Sequence, residues 1–237
     1  MPKAKTQTTA EAVEENLQSS PALPMQYDVR IQSLRMNGNT RGTASVNLNG
    51  QFAVRNISIV EGKNGLFVSM PSNKLESGEY IDICFPCTKD AKAEFDSAVL
   101  SAFRHAQTQG ANEQRQAPAT DLMPLKYDVK ISSLSLGEGA RRGSASVNLN
   151  DQFAIRRVSI MEGSNGLFVS LPSFKGGNGE YKDHCFPCTK ESRVEFDKAV
   201  LDAYRQALTQ NQEEGQQREA PDPFAEKTQE STMAMQM

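Results

Sequence analysis

The sequence contains the same series of motifs twice, and this constrains its fold more than any other feature. Tyr27-Asp28-Val29 returns as Tyr127-Asp128-Val129, and Asn64-Gly65-Leu66-Phe67-Val68-Ser69 as Asn165-Gly166-Leu167-Phe168-Val169-Ser170. Cys84-Phe85-Pro86-Cys87-Thr88-Lys89 returns as Cys185-Phe186-Pro187-Cys188-Thr189-Lys190. With residues 41–106 set against 142–207, about two-thirds of positions are identical. The unit is about 80 residues, longer than the roughly 20–50 of stacking solenoids, so each copy is expected to be a domain with a core of its own.

Composition divides the chain around these copies. Residues 1–24 read as a disordered arm, 25–107 as the first domain, 108–123 as a flexible linker, 124–209 as the second domain and 210–237 as a disordered acidic tail. Arm, linker and tail are too polar to bury the apolar surface that would order them, which accounts for a hydrophobic content of only 38%. Charge follows the same boundaries. Residues 27–106 hold nine Lys and Arg against eight Asp and Glu, residues 127–207 eleven against ten, and residues 208–237 two against six. The net charge of −3 therefore reflects the tail and does not argue against an anionic partner for the domains. No apolar run approaches the roughly 18 residues of a membrane span, and residues 1–20 lack the apolar centre of a secretory signal. A cytoplasmic location with reduced cysteines is the expectation, and no membrane partner.

Within one copy, Tyr27-Asp28-Val29-Arg30-Ile31-Gln32-Ser33-Leu34 alternates apolar and polar side chains, the mark of a strand with one buried face. Residues 43–48 alternate again, and Asn49-Gly50 supplies the positive-φ residues a tight hairpin requires. Residues 52–60 and 66–68 continue the sheet, and residues 79–85 read as a short fifth strand. The period then changes: Ala91, Phe95, Ala98, Val99, Ala102, Phe103 and Ala106 form one helical stripe. Thr88 is placed to cap that helix, and Asp90 complements its dipole. Strands followed by a helix predict an α+β fold, a small antiparallel sheet with a C-terminal helix, present in two tandem copies.

These residues carry a resemblance. Residues 57–72 (ISIVEGKNGLFVSMPS) and Gly78-Glu79-Tyr80-Ile81-Asp82-Ile83, followed by Pro86, resemble the signature blocks of the stage V sporulation protein G (SpoVG) family, and both domains carry the pattern. The resemblance implies a sheet-plus-helix domain that pairs as a homodimer through its strands. It implies site-preferring DNA binding, RNA binding in some members, regulatory roles in septation, sporulation or virulence, and no catalysis. It places the basic binding patch near the start of the C-terminal helix, where Lys92 and Arg193 stand. The sequence departs from the family in being duplicated, and in carrying Cys84-Phe85 where a small or aliphatic residue and a histidine are usual.

The candidate nucleic-acid-binding residues are Lys89, Lys92, Arg104, Arg41, Arg55 and Lys74 in the first copy, and Lys190, Arg193, Arg205, Arg142, Arg156 and Lys175 in the second. The helix cations lie off the apolar stripe, and a solvated face with i,i+4 pairing is the competing explanation. With no Trp in the chain, stacking surfaces look scarce. Backbone contact with duplex DNA is therefore expected ahead of single-strand stacking.

The Cys-Phe-Pro-Cys motifs read as packed structural thiols. A zinc site would need Cys84, Cys87, Cys185 and Cys188 together, with His184 as a spare ligand. A redox role would use a thiolate at the helix start. No cofactor and no enzymatic activity are expected: the two histidines are not equivalent between copies, and Gly137-Glu138-Gly139 leads into a strand rather than a nucleotide-binding helix. A nucleic-acid-binding regulator is thus the leading function. A protein-interaction adaptor of division or transcription is the alternative. A single small sheet has unpaired edges that must be covered. A flexible spacer between the copies reaches about 23–25 Å, so the copies are expected to pair with each other as an intrachain pseudo-dimer, with two independent units or pairing between chains as the alternatives.

Overall fold

The computed structural model describes residues 25–109, 124–135, 137 and 139–219; the expected arm, most of the linker and the end of the tail lie outside the described residues. The first copy runs β1 (Tyr27–Leu34), β2 (Thr40–Leu48), β3 (Phe52–Gly62), β4 (Gly65–Ser69), β5 (Ser72–Lys74), β6 (Tyr80–Asp82), β7 (Cys84–Pro86) and α1 (Lys89–Gln109). The second runs β8 (Tyr127–Leu134), β9 (Arg141–Leu149), β10 (Phe153–Gly163), β11 (Gly166–Ser170), β12 (Ser173–Lys175), β13 (Tyr181–Asp183), β14 (Cys185–Pro187) and α2 (Lys190–Glu219). All pairings are antiparallel.

The expected fifth strand is two strands. Residues 80–82 turn back on β5 as a separate hairpin, and Cys84–Pro86 leaves the first copy altogether. There β7 pairs with β10, Phe85 opposite Ala154, while β14 pairs reciprocally with β3, Phe186 opposite Ala53. One edge of β3 is thus shared: residues 58–62 pair with β4 of the same copy and residues 52–54 with β14 of the other. Each five-stranded sheet is completed by a strand from its neighbour. The intrachain pseudo-dimer takes the form of strand exchange.

The hairpin turns follow their residues. Asn49 and Gly50 have φ of 49° and 66°, both positive as a two-residue turn of this kind requires. The Asn49 Oδ1 accepts from Gln26 N at 2.7 Å, which ties the incoming chain to the hairpin, and Asn150 does the same for Lys126. A bulge interrupts the β2–β3 pairing between Ala44 and Val46 and the equivalent β9–β10 pairing. Its positive-φ residue is Asn56 in the first copy and Arg157 in the second, at φ 60° and 62°. Asn tolerates this conformation better than Arg. Replacing Arg157→Asn is expected to raise stability by about 1 kcal/mol, measured by urea unfolding.

The helices form as the period predicts. Thr88 Oγ1 accepts from Ala91 N, and Thr189 Oγ1 from Ser192 N, each at 3.1 Å. Ala91, Phe95, Val99, Phe103 and Ala106 are buried against the sheet. The apolar side chains of both copies form one cluster. Phe95 meets Tyr27 of its own sheet edge-on at 5.5 Å and Phe153 of the other copy at 5.8 Å; Phe196 meets Tyr127 and Phe52 in the same way, each at 5.6 Å. Burial raises both phenols to about 12. The helix α2 continues to Glu219, beyond the expected tail start at residue 210. Its added turns are rich in Gln and Glu, good helix formers that extend an existing helix at little cost.

Candidate nucleic-acid interface

Strand exchange brings a cation of one copy against the helix start of the other. Arg156 on the β10 bulge donates its backbone N–H to Ile83 O at 2.7 Å, and its guanidinium lies 4.3 Å from the centre of the Phe85 ring. Arg55 does the same with His184 O, at 2.7 Å, and with the Phe186 ring, at 4.1 Å. A guanidinium over an aromatic face gains electrostatic attraction and keeps its edges free to donate.

An aspartate feels the charge of each arginine. Burial raises the Asp82 carboxyl, and Arg156 and Lys92 oppose that rise. Burial likewise raises Asp183, opposed by Arg193 and Arg55. Each corner therefore sets one carboxylate in the electrostatic field of a helix-start cation of one copy and a bulge arginine of the other. The open face around Arg55 forms a groove of about 630 Å³ lined by Asp28, Arg30, Gln32, Asn47, Arg55 and Phe186, among others.

The remaining predicted residues divide between exposed and structurally engaged positions. Lys89 and Lys190 open their helices and are exposed. Lys92 is paired with Asp96 at 2.5 Å. Arg193 is paired with Asp197 at 2.8 Å and donates to Val169 O at 2.7 Å. Arg104 lies exposed on α1, and Arg205 on α2 pairs with Asp202 at 2.8 Å. Arg41 is held by Glu61 and Met36 O, and Arg142 by Glu162 and Gly137 O. These two fasten a hairpin end, a structural task that the sequence does not distinguish from binding. Lys74 and Lys175 project from the small β5–β6 and β12–β13 hairpins.

The cysteines separate into two kinds. Cys84 and Cys185 are fully buried where the copies meet. The neighbouring Cys84 thiol and burial together hold Cys185 well above the usual thiol range. Cys87 and Cys188 are exposed, yet partial desolvation raises both rather than activating them. His184 is buried against the Phe174 ring at 4.7 Å. Among the described residues no three His, Cys, Asp or Glu side chains are grouped as metal ligands, so the four-cysteine zinc arrangement is not assembled.

Sequence reasoning missed three features: the partnership of Phe85 and Phe186 with arginines of the opposite copy, the influence of two cations on each of Asp82 and Asp183, and the exposure of Tyr80 and Tyr181. Only the last left a local signal, since Tyr80 and Asp82 fall on one side of an alternating segment.

The fold and its corners define a class: an α+β protein whose two sheet-plus-helix units complete each other by exchanging a strand, with the same cation–aromatic corner built twice. The chain belongs to the SpoVG family, whose model matches residues 25–105 and again 125–206. It is similar to the Desulforudis audaxviator protein named "Putative septation protein SpoVG", 45% identical over 78 residues, covering 33% of this chain and 89% of that protein. A protein of the same name from a Thermoanaerobacter species is 38% identical over 84 residues, 35% of this chain and 91% of its own. A Listeria monocytogenes protein with that name and the suffix 1 is 33% identical over 90 residues, 38% of this chain and 88% of its own. Among the described residues no helix is long and apolar enough to cross a membrane.

Proposed function

We propose that this protein is a non-enzymatic, cytoplasmic nucleic-acid-binding regulator of the septation and sporulation type, acting on DNA and also able to engage RNA. The observation that carries this reading is the doubled corner, with Arg55 and Arg193 on one side and Arg156 and Lys92 on the other. Duplex DNA offers equivalent phosphates to two equivalent sets of donors, and guanidinium groups suit them through directed hydrogen bonds. Exposed Lys89 and Lys190 at the helix starts add to each set. The near-neutral charge of each domain fits local phosphate contacts better than a broad electrostatic field. Family membership supports a role in septation, as the names of the relatives do.

The test is an electrophoretic shift series on duplex DNA at several salt concentrations. Log affinity is expected to fall linearly with log salt. Replacing Lys89, Lys92, Lys190 and Arg193 by Ala weakens binding at least tenfold, at about 1.4 kcal/mol per decade, with the fold intact by circular dichroism. Wild-type protein that binds no nucleic acid at any salt concentration would instead mark the chain as a protein-interaction adaptor.

A further inference from the structure

We infer that Tyr80 with Lys74, and Tyr181 with Lys175, form two platforms that stack unpaired nucleobases; this rests on the nucleic-acid reading and adds a single-stranded ligand to the duplex. Tyr80 and Tyr181 are 69% and 73% exposed, so their rings support no core. In each hairpin the tyrosine lies directly opposite the lysine, Lys74 against Tyr80 and Lys175 against Tyr181. Directly opposed residues project to the same face. Each platform therefore joins a π face for a base to an ammonium group for the adjoining phosphate, the combination that single-strand binders use.

The platforms are continuous with the corners. Tyr80 and Asp82 are two apart on β6 and share a face, and Asp82 is within electrostatic reach of Arg156 and Lys92. Tyr181 leads through Asp183 to Arg193 and Arg55 in the same way. None of the ion pairs among the described residues involves Lys74 or Lys175. A strand laid along this face would place a base on the tyrosine and its backbone along the lysine and the corner cations. Stacking on a π face is tolerant of sequence, so the platforms bind unpaired segments without reading base edges.

Intrinsic fluorescence reads the contact directly, because the chain has five Tyr and no Trp. The probes are a mixed-sequence single-stranded oligonucleotide and the same sequence as a duplex. The single strand is expected to quench the tyrosine emission of the full chain. Tyr80→Leu with Tyr181→Leu should weaken single-strand binding about fivefold to a hundredfold. Tyr80→Phe with Tyr181→Phe should hold it within about twofold, and duplex affinity should change less than about twofold in both. Single-strand binding unchanged by the leucine pair, in protein whose duplex binding still depends on the helix-start cations, overturns the platforms alone and leaves the hairpins as protein contacts. An equal loss on the duplex also overturns them. Absence of binding to either probe removes the platforms and the nucleic-acid reading together.

Discussion

Replacing Phe95→Ala is expected to destabilise both halves of the chain at once, by about 3–5 kcal/mol. Phe95 is fully buried. Its ring packs on Tyr27 of its own sheet and on Phe153 of the other copy, so the cavity opens where the two units share a core. A domain of ordinary stability has about 5–15 kcal/mol to lose, and this substitution removes a large part of that. Phe196→Ala removes the symmetry-related ring, which touches Tyr127 and Phe52, and should cost a similar amount. Urea unfolding followed by circular dichroism is the measurement. Both variants should unfold in one transition at a lower midpoint with an unchanged m-value. Two separated transitions, with the unmutated copy keeping its original midpoint, would show that the copies fold independently and that the exchanged strands contribute little.

The second large effect concerns the corner arginines. Arg55→Gln together with Arg156→Gln should weaken duplex binding about tenfold to a hundredfold at moderate salt. The slope of log affinity against log salt should flatten by about 1.8, since each phosphate contact contributes about 0.9. Glutamine keeps a planar polar group over Phe186 and Phe85, and the backbone hydrogen bonds to His184 O and Ile83 O do not depend on the side chain. Cation–π contacts at such half-open positions contribute only about 0.5–1 kcal/mol. The fold should therefore survive, and a thermal melt separates lost binding from lost structure. By contrast, Arg41→Gln and Arg142→Gln remove cations already engaged by Glu61 and Glu162. They should alter the salt slope far less, so the pair serves as a control for net charge.

The corners also bear on the cysteines. Each motif puts its first cysteine in the junction and its second on the surface. Cys84 and Cys185 are both fully buried, as a packing role would require. The raised thiols of Cys87, Cys185 and Cys188 are the opposite of what a nucleophilic cysteine needs. The helix start alone does not activate Cys87 or Cys188, because desolvation outweighs the nearby arginines.

Most features that depend on neighbours along the chain were legible before folding was considered. The duplication gave two like units. Alternation gave β1 to β4 and β8 to β11, because side chains of a strand project to opposite faces with period two. Asn49-Gly50 determined a hairpin, since few residues accept positive φ in succession. Thr88 and the stripe from Ala91 to Ala106 determined the start and buried face of α1. The strand exchange was decided only in three dimensions. Cys84-Phe85-Pro86 has no local signal for which copy it joins; the free edge of β10 beside residues 153–155 decides it, because unpaired backbone donors and acceptors favour whichever strand can reach them. The cation–aromatic corners follow from that choice. Arg156 lies 71 positions from Phe85 along the chain and touches it only because β7 crosses over. Exposure of Tyr80 likewise depends on a separate β5–β6 hairpin rather than a continuous fifth strand. Local periodicity specifies which face of an element is apolar, but the partner of that element is chosen by open edges and unfilled core volume, which exist only once the rest of the chain has folded.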